Sequence, residues 1–220
     1  MKNISKEDYL SVIYKNRDIN GEIKPNLIAT KLSISNAAVT DMFKKLSKEG
    51  LIKYKKYKGI TLTLDGEAYA KNMVRRHRIW EVFLFQVVGL PWDKVHEEAN
   101  RLEHSSSDAL INRIEEILNF PEYDPHGDPI PNKEGKLPKI KKYLPLSELK
   151  ENQTSKVVRV NDFDESFLSY ISKIGIKLKS KITIKEKREF DKSMEILVNG
   201  KLLNISNKVA QNIFVEDKLK

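Results

Sequence analysis

The chain has 220 residues, 40% of them hydrophobic, with eight prolines, no cysteine and a formal net charge of +9. That length suits two or three compact units with real cores, and the lack of cysteine excludes disulfides and thiolate metal ligands. No apolar run reaches the roughly 20 residues needed to cross a bilayer, and residues 1–6 lack the apolar core of a signal peptide. A soluble cytoplasmic protein with no membrane partner is therefore expected. The charge is unevenly placed: residues 1–62 carry 13 Lys and Arg against 6 Asp and Glu, whereas residues 63–123 carry 7 against 11. A basic end suits a polyanion and an acidic middle suits cations.

The first element is a helix over residues 5–16, with Ser5 as N-cap and Tyr9, Leu10, Ile13 and Tyr14 facing inward. Pro25 fits the first turn of a short second helix carrying Leu27, Ile28 and Leu32. After a turn at Ser33, Ile34 and Ser35, the last of these caps a third helix from Asn36 to Glu49. Its apolar side is Val39, Phe43 and Leu46, and Gly50 ends it. Two short strands follow, at about Leu51 to Tyr54 and Ile60 to Leu64, joined by a lysine-rich turn ending in Gly59. Helix, helix, turn, helix and hairpin make a winged helix-turn-helix over residues 1–64. The third helix would present Ser35, Asn36, Ala37, Thr40 and Asp41 to base edges, with Lys44 and Lys48 further along against phosphates. Wing residues Lys55, Lys56 and Lys58 suit backbone contacts, which position without specifying sequence. Winged helices also serve as protein-interaction modules; the charge of this domain favours duplex DNA.

A long helix is expected from Asp65 to about Val88, where Gly89 and Pro91 break it, then one from about Asp93 to Glu103 and another over Ser107 to Leu118. On the first, His77 and Glu81 stand four apart. The second carries His96, Asn100, Glu103 and His104, at spacings that share a helical face. A solvated face of i,i+4 pairs would account for His77 and Glu81 alone, but six nitrogen and oxygen donors on two helices point to a divalent cation held between them. Trp80, Phe83, Leu84, Phe85 and Trp92 offer apolar surface that reads as a homodimer interface, with core packing as the alternative. Six prolines fall in residues 121–145, so Pro121 to Asn152 reads as loop and linker with little regular structure. From Lys156 the pattern alternates, Asn199 and Gly200 mark a hairpin, and a short helix is expected near Glu165 to Lys173. Together these make a small barrel-like domain.

Three stretches carry a resemblance: Arg76 to Glu81, Val95 to Asp108, and Asn119 to Pro131 with His126 and Gly127. On these the chain resembles the diphtheria toxin repressor family of metal-dependent transcription repressors, in particular its manganese-responsive three-domain branch. The resemblance implies a mainly α fold with small β parts. It comprises the winged helix-turn-helix (1–64), a helical metal-binding and dimerisation domain (65–123), a proline-rich linker (124–153) and an SH3-like, FeoA-like small β-barrel (154–220). It implies a homodimer that binds operator DNA when two metal sites on each subunit are filled. One site would use Asp8 with Asn100, Glu103 and His104; the other would use His77, Glu81, His96, His126 and Asp124. Such a hard donor set suits Mn²⁺ or Fe²⁺, with Zn²⁺ as an in vitro occupant. In the family Glu or Cys usually stands at position 100, Cys often at 124 and Gln often at 41, so Asn100 removes a charge, Asp124 preserves a donor, and Asp41 points to a different operator preference. Asp162, Asp164 and Glu165 are candidates for an additional ligand, a solvated helix N-terminus being the plainer reading. The expected function is repression of manganese or iron uptake genes, not an enzymatic activity. Two alternatives stay open. One is a metal-independent winged-helix regulator with degenerate sites, kept alive by Asn100. The other is a metallohydrolase built on His96 and Glu97, which lacks the histidine it needs at position 100.

Overall fold

The computed structural model describes residues 5–55, 58–139, 142–162 and 164–217. The chain divides into two compact units, residues 1–77 with 131–136, and residues 78–130 with 137–220.

In the first unit, α1 (Lys6–Asn16) begins at the expected cap: the Ser5 side chain accepts from Asp8 N–H while the Asp8 carboxylate accepts from Ser5 N–H, a reciprocal capping box. Helix α2 (Pro25–Leu32) opens on its proline and ends at Ser33 in the left-handed conformation. Helix α3 (Asn36–Lys48) is capped by Ser35, whose side chain accepts from Ala38 N–H. Strands β1 (Ile52–Lys55) and β2 (Lys58–Leu62) pair antiparallel as the wing. Leu10, Ile13, Ile28, Val39, Phe43, Leu46, Ile52 and Ile60 form one core, as the helical spacing predicts. Helix α4 (Leu64–Phe83) starts immediately after the wing. Its first turns are tied to α1, where Arg17 grips Glu67 with two hydrogen bonds of 3.0 and 3.2 Å and Tyr69 donates to Glu7 at 2.9 Å. Arg17, with Lys71, holds the Glu67 carboxyl at about 2.

The second unit takes up α4 from Arg78 onward. The predicted continuation to Val88 is present as a single π-helical turn, Leu84–Val88, that closes on left-handed Gly89. Helix α5 (Val95–Leu102) passes into a 3-10 turn at Glu103–Ser105, and Ser107 caps α6 (Asp108–Ile117). The Trp80 indole N–H donates to Ser106 Oγ at 2.7 Å, and Ser106 donates on to Leu102 O, which locks that 3-10 turn against α4. Then β3 (Tyr143–Pro145), β4 (Thr154–Val160), α7 (Glu165–Lys173), β5 (Lys181–Lys187), β6 (Met194–Val198), β7 (Lys201–Ile205), α8 (Asn207–Gln211) and β8 (Ile213–Glu216) complete the unit. The six strands form one antiparallel sheet in the order β3-β8-β4-β5-β6-β7. The Asn199-Gly200 hairpin stands where expected, both residues at positive φ.

Two sequence expectations change. The stretch from Pro121 to Asn152 has more regular structure than predicted, because Leu144, Leu146 and Leu149 bury in the core of the C-terminal sheet and draw in β3 as an edge strand. Of the five apolar residues read as interface, Leu84 and Trp92 are buried, and Trp80 and Phe83 pack against Ile79, Val82, Ile111 and Ile114. Core packing accounts for all but Phe85. The exposed apolar set of these helices is instead Phe85, Val87, Val88, Leu110, Ile117 and Phe120.

Gly66, in the first turn of α4, lies so close to the wing that a Cβ there would fall 1.9 Å from the Leu51 carbonyl oxygen. Gly to Ala inside a helix ordinarily stabilises by about 1 kcal/mol. Here the sign reverses: Gly66→Ala is expected to destabilise by about 2–4 kcal/mol, because backbone rather than a flexible side chain must move. Urea unfolding midpoints check this, and an unchanged or higher midpoint would refute the close approach.

Candidate metal centre

Three elements of the second unit converge on one buried point. Helix α4 brings Glu81, which is fully buried; the loop between α6 and β3 brings His126, also fully buried; the segment after β4 brings Asp162. One ligand-type atom from each lies within 4.8 Å of the other two. His96, on the first turn of α5, joins them with Nδ1 at 2.9 Å from Glu81 Oε1 and 3.6 Å from Asp162 Oδ2.

His126 carries the diagnostic geometry. Its Nε2 is 2.8 Å from the carbonyl oxygen of Trp92, and a carbonyl can only accept, so Nε2 bears a proton. Nδ1 therefore faces the carboxylates. It is buried without a hydrogen-bond partner among the described residues, 3.9 Å from Glu81 Oε2. A ring whose far nitrogen is pinned to a backbone carbonyl, and whose near nitrogen is aimed at carboxylates, is oriented as metal-binding imidazoles are. Burial alone would lower its basicity, but Glu81, Asp124 and Asp162 outweigh burial and push His126 up to about 9. Those carboxylates are asking for a cation. Two carboxylates with two neutral imidazoles would match the charge of a divalent ion, in a donor set of hard and borderline character.

Asp124, expected to donate to the ion, commits one oxygen to its own loop and keeps the other buried without a hydrogen bond among the described residues. Its Oδ1 accepts from the backbone N–H groups of His126 and Asp128, each at 2.9 Å, and its Oδ2 faces Arg78 Nε at 3.4 Å. Burial, then the Glu81 and Asp128 carboxylates, push it up to about 7. Asp164 is the true cap of α7, accepting from Ser166 and Phe167 N–H, and Glu165 pairs with Lys94. Asp162 is the member of that acidic trio at the centre, which the plain reading of a solvated helix N-terminus missed. The signal was there: one helix needs one N-cap, and a second aspartate two residues earlier is surplus.

The other candidates divide by element. His77 is buried on α4, one turn before Glu81. Glu103 is buried in the 3-10 turn with His104 Nε2 3.4 Å from its Oε1, and Asn100 is half-buried on α5. Asp8 is half-buried at the start of α1, where its Oδ2 serves the capping box. Glu97, the base a hydrolase would need, is instead exposed and paired with Arg101. On α3 the proposed DNA face is solvent-exposed at Ser35, Asn36, Ala37, Asp41, Lys44 and Lys48 and half-buried at Thr40. Asp41 is paired with Lys44 at 3.0 Å. Lys55 and Lys58 end the two wing strands, and Lys56 lies outside the described residues.

Comparison with known proteins agrees with this layout. Residues 3–60 match the iron dependent repressor N-terminal DNA binding domain, residues 63–132 the iron dependent repressor metal binding and dimerisation domain, and residues 144–217 the FeoA domain. The iron-dependent repressor IdeR of Mycobacterium leprae is 35% identical over 125 residues, 57% of this chain and 54% of that protein. The match thus spans about half the length of the mycobacterial relatives. The HTH-type transcriptional regulator MntR of Lysinibacillus sphaericus is 35% identical over 121 residues, 55% of this chain and 86% of that protein. A solved manganese-dependent transcriptional repressor in complex with manganese superposes with a TM-score of 0.87 at 34% identity, covering 96% of this chain and 99% of that one.

Because His126 is protonated below about 9, a cation at this centre must displace a proton. Binding near neutral pH is expected to release about one proton per ion, with affinity rising about tenfold per pH unit and levelling above pH 9. Mn²⁺ calorimetry in buffers of different ionisation heat measures the release. His126→Gln should abolish it; no release by the unaltered protein would contradict the assignment.

Proposed function

The chain belongs to the diphtheria toxin repressor family of metal-dependent repressors, and on that premise we propose that it is a homodimeric transcriptional repressor whose binding to operator DNA requires a divalent cation. The observation that carries the reading is the buried Nδ1 of His126, oriented by Trp92 and aimed at Glu81. Glu81, His96, His126 and Asp162 would hold one ion. On the family resemblance His77 belongs with them, and Asp8, Asn100, Glu103 and His104 are assigned to a second. A bound divalent cation supplies two positive charges and fixes its carboxylate and imidazole ligands in one arrangement. The rest falls to the chain. Asp8 stands on the first helix of the DNA-binding head and is the ligand through which occupancy reaches α3. Asn100 offers a neutral oxygen, so the Asp8 site depends more heavily on Asp8 and Glu103 for its charge.

Manganese is the proposed activating ion and Fe²⁺ the alternative. Carboxylate and imidazole ligands without sulfur favour these over softer ions, and the names of the relatives point to both. Repression of manganese or iron uptake genes from a cytoplasmic location follows from that choice. The test is binding to a promoter-fragment library across Mn²⁺, Fe²⁺ and Zn²⁺ titrations. Operator affinity should rise by about tenfold to a hundredfold with the activating ion, the size of a typical allosteric coupling. Asp8→Ala should remain folded by circular dichroism and lose that dependence. Metal dependence unchanged in folded Asp8→Ala would remove Asp8 from the switch, and DNA binding indifferent to every ion would leave a metal-independent regulator.

Dimerisation is assigned to the exposed apolar set in the matched dimerisation domain, Phe85, Val87, Val88, Leu110, Ile117 and Phe120. Ile117→Glu is expected to give monomers by sedimentation velocity at micromolar concentration, where the unaltered chain sediments as a dimer. A dimer undisturbed by Ile117→Glu and Phe85→Glu together would move the interface elsewhere.

A further inference from the structure

Behind the ligands lies a second layer of charge that no ligand role absorbs. Asp128 is buried two residues after His126, and its Oδ1 accepts from Arg159 Nε at 2.9 Å with Arg78 Nη2 3.5 Å from the same oxygen. Arg78 also donates to Pro129 O and faces Asp124 Oδ2. The two arginines occupy equivalent places. Arg78 stands on α4 three residues before Glu81, and Arg159 stands on β4 three residues before Asp162. The loop between them is closed on itself and on β4. Asp124 N–H donates to Asp128 O at 3.0 Å, Asp128 N–H returns to Asp124 Oδ1, and Val160 N–H donates to His126 O at 2.9 Å. Gly127, at φ +93°, lets the loop backbone touch the strand: a Cβ there would fall 2.1 Å from Val158 O. Arg159 is braced in turn, its guanidinium carbon 4.8 Å from the centre of the Phe214 ring.

We infer that Asp128, gripped by Arg78 and Arg159, is the positioning residue of this metal centre: it binds no ion itself but fixes the three separate segments that deliver Glu81, His126 and Asp162. This deepens the proposed function and rests on it. Each ligand-bearing segment is tied to Asp128 by one bond type: α4 through Arg78, the loop through its own backbone, and β4 through Arg159. Partners of this outer kind typically contribute about 10- to 100-fold to metal affinity.

The experiment is a Mn²⁺ titration of the full chain, following free Mn²⁺ by electron paramagnetic resonance. Four proteins are compared: unaltered, His126→Gln, Arg159→Met and Asp128→Asn. His126→Gln identifies the binding step that belongs to this centre. Arg159→Met is expected to weaken that step by about 10- to 100-fold while leaving the other step unchanged. Asp128→Asn keeps the Oδ1 acceptor but not the charge, and is expected to lose less, by at least about threefold. It is also the deciding variant if Arg159→Met does not fold. Wild-type affinity in the folded variants overturns the inference. So does an equal weakening of both steps, which is what a general loss of structure gives. If instead His126→Gln binds Mn²⁺ as the unaltered chain does, the metal centre itself is wrong, a result distinct from failure of the positioning role.

Discussion

The hydrogen bond from His126 Nε2 to the Trp92 carbonyl is the contact on which the centre depends. A buried imidazole has two nitrogens and one question, which of them carries the proton, and a backbone carbonyl answers it without titrating. With Nε2 committed, Nδ1 is left to face Glu81 and Asp162, two acidic groups from segments far apart in sequence. Bringing such groups together inside a protein is unfavourable unless something positive stands between them. Glu81, Asp124 and Asp162 therefore raise the basicity of His126 despite its burial. A divalent ion would meet the same demand with twice the charge, so proton and cation compete for one place.

Trp92 has a second job, and the two are inseparable. Its side chain is buried with Leu144, Leu146, Val157, Leu168 and Val215, in the core of the C-terminal sheet. The same residue therefore sets the histidine tautomer through its carbonyl and joins the helical segment to that sheet through its ring. This makes physical sense of the compact unit that unites residues 78–130 with 137–220. The sheet is also where β4 starts the path to Asp162 and where Val160 holds the His126 loop. The C-terminal sheet is thereby packed with the segments that carry His126 and Asp162.

The sequence showed most of what is local. Caps at Ser5 and Ser35, the hairpin at Asn199 and Gly200, and the bounds of α7 follow from short-range rules, since each depends on residues within a turn of one another. Spacing along a helix likewise exposed His77 with Glu81, and His96 with Glu103 and His104. The family resemblance grouped Glu81 with His96 and His126, but nothing in spacing placed Asp162 among them. Glu81, His126 and Asp162 are separated by the whole of α5, α6, β3 and β4, and no periodicity connects them. Trp92 read as interface because an aromatic outside a clear repeat carries no label for which core it joins. Strands β3 and β8 escaped for a related reason: at three and four residues they are too short to alternate convincingly, and only pairing with each other and with β4 makes them strands.

Asp124 shows how one carboxylate can divide its two oxygens. A buried aspartate two residues from a histidine ligand looks like a donor, and in isolation its chemistry permits that role. What decides is the competition for its oxygens. Two backbone N–H groups take Oδ1, while Oδ2 is buried without a hydrogen bond among the described residues, 3.4 Å from Arg78 Nε, so a cation would meet Oδ2 and leave the loop bonds in place. Asp162 enters the centre beside Glu81 and His126, with His96 Nδ1 3.6 Å from its Oδ2. Asp124 thus ties the loop through Oδ1 and keeps Oδ2 buried beside Arg78, while Asp162 reaches the same cluster from the segment after β4, so residue type alone does not tell what each oxygen does.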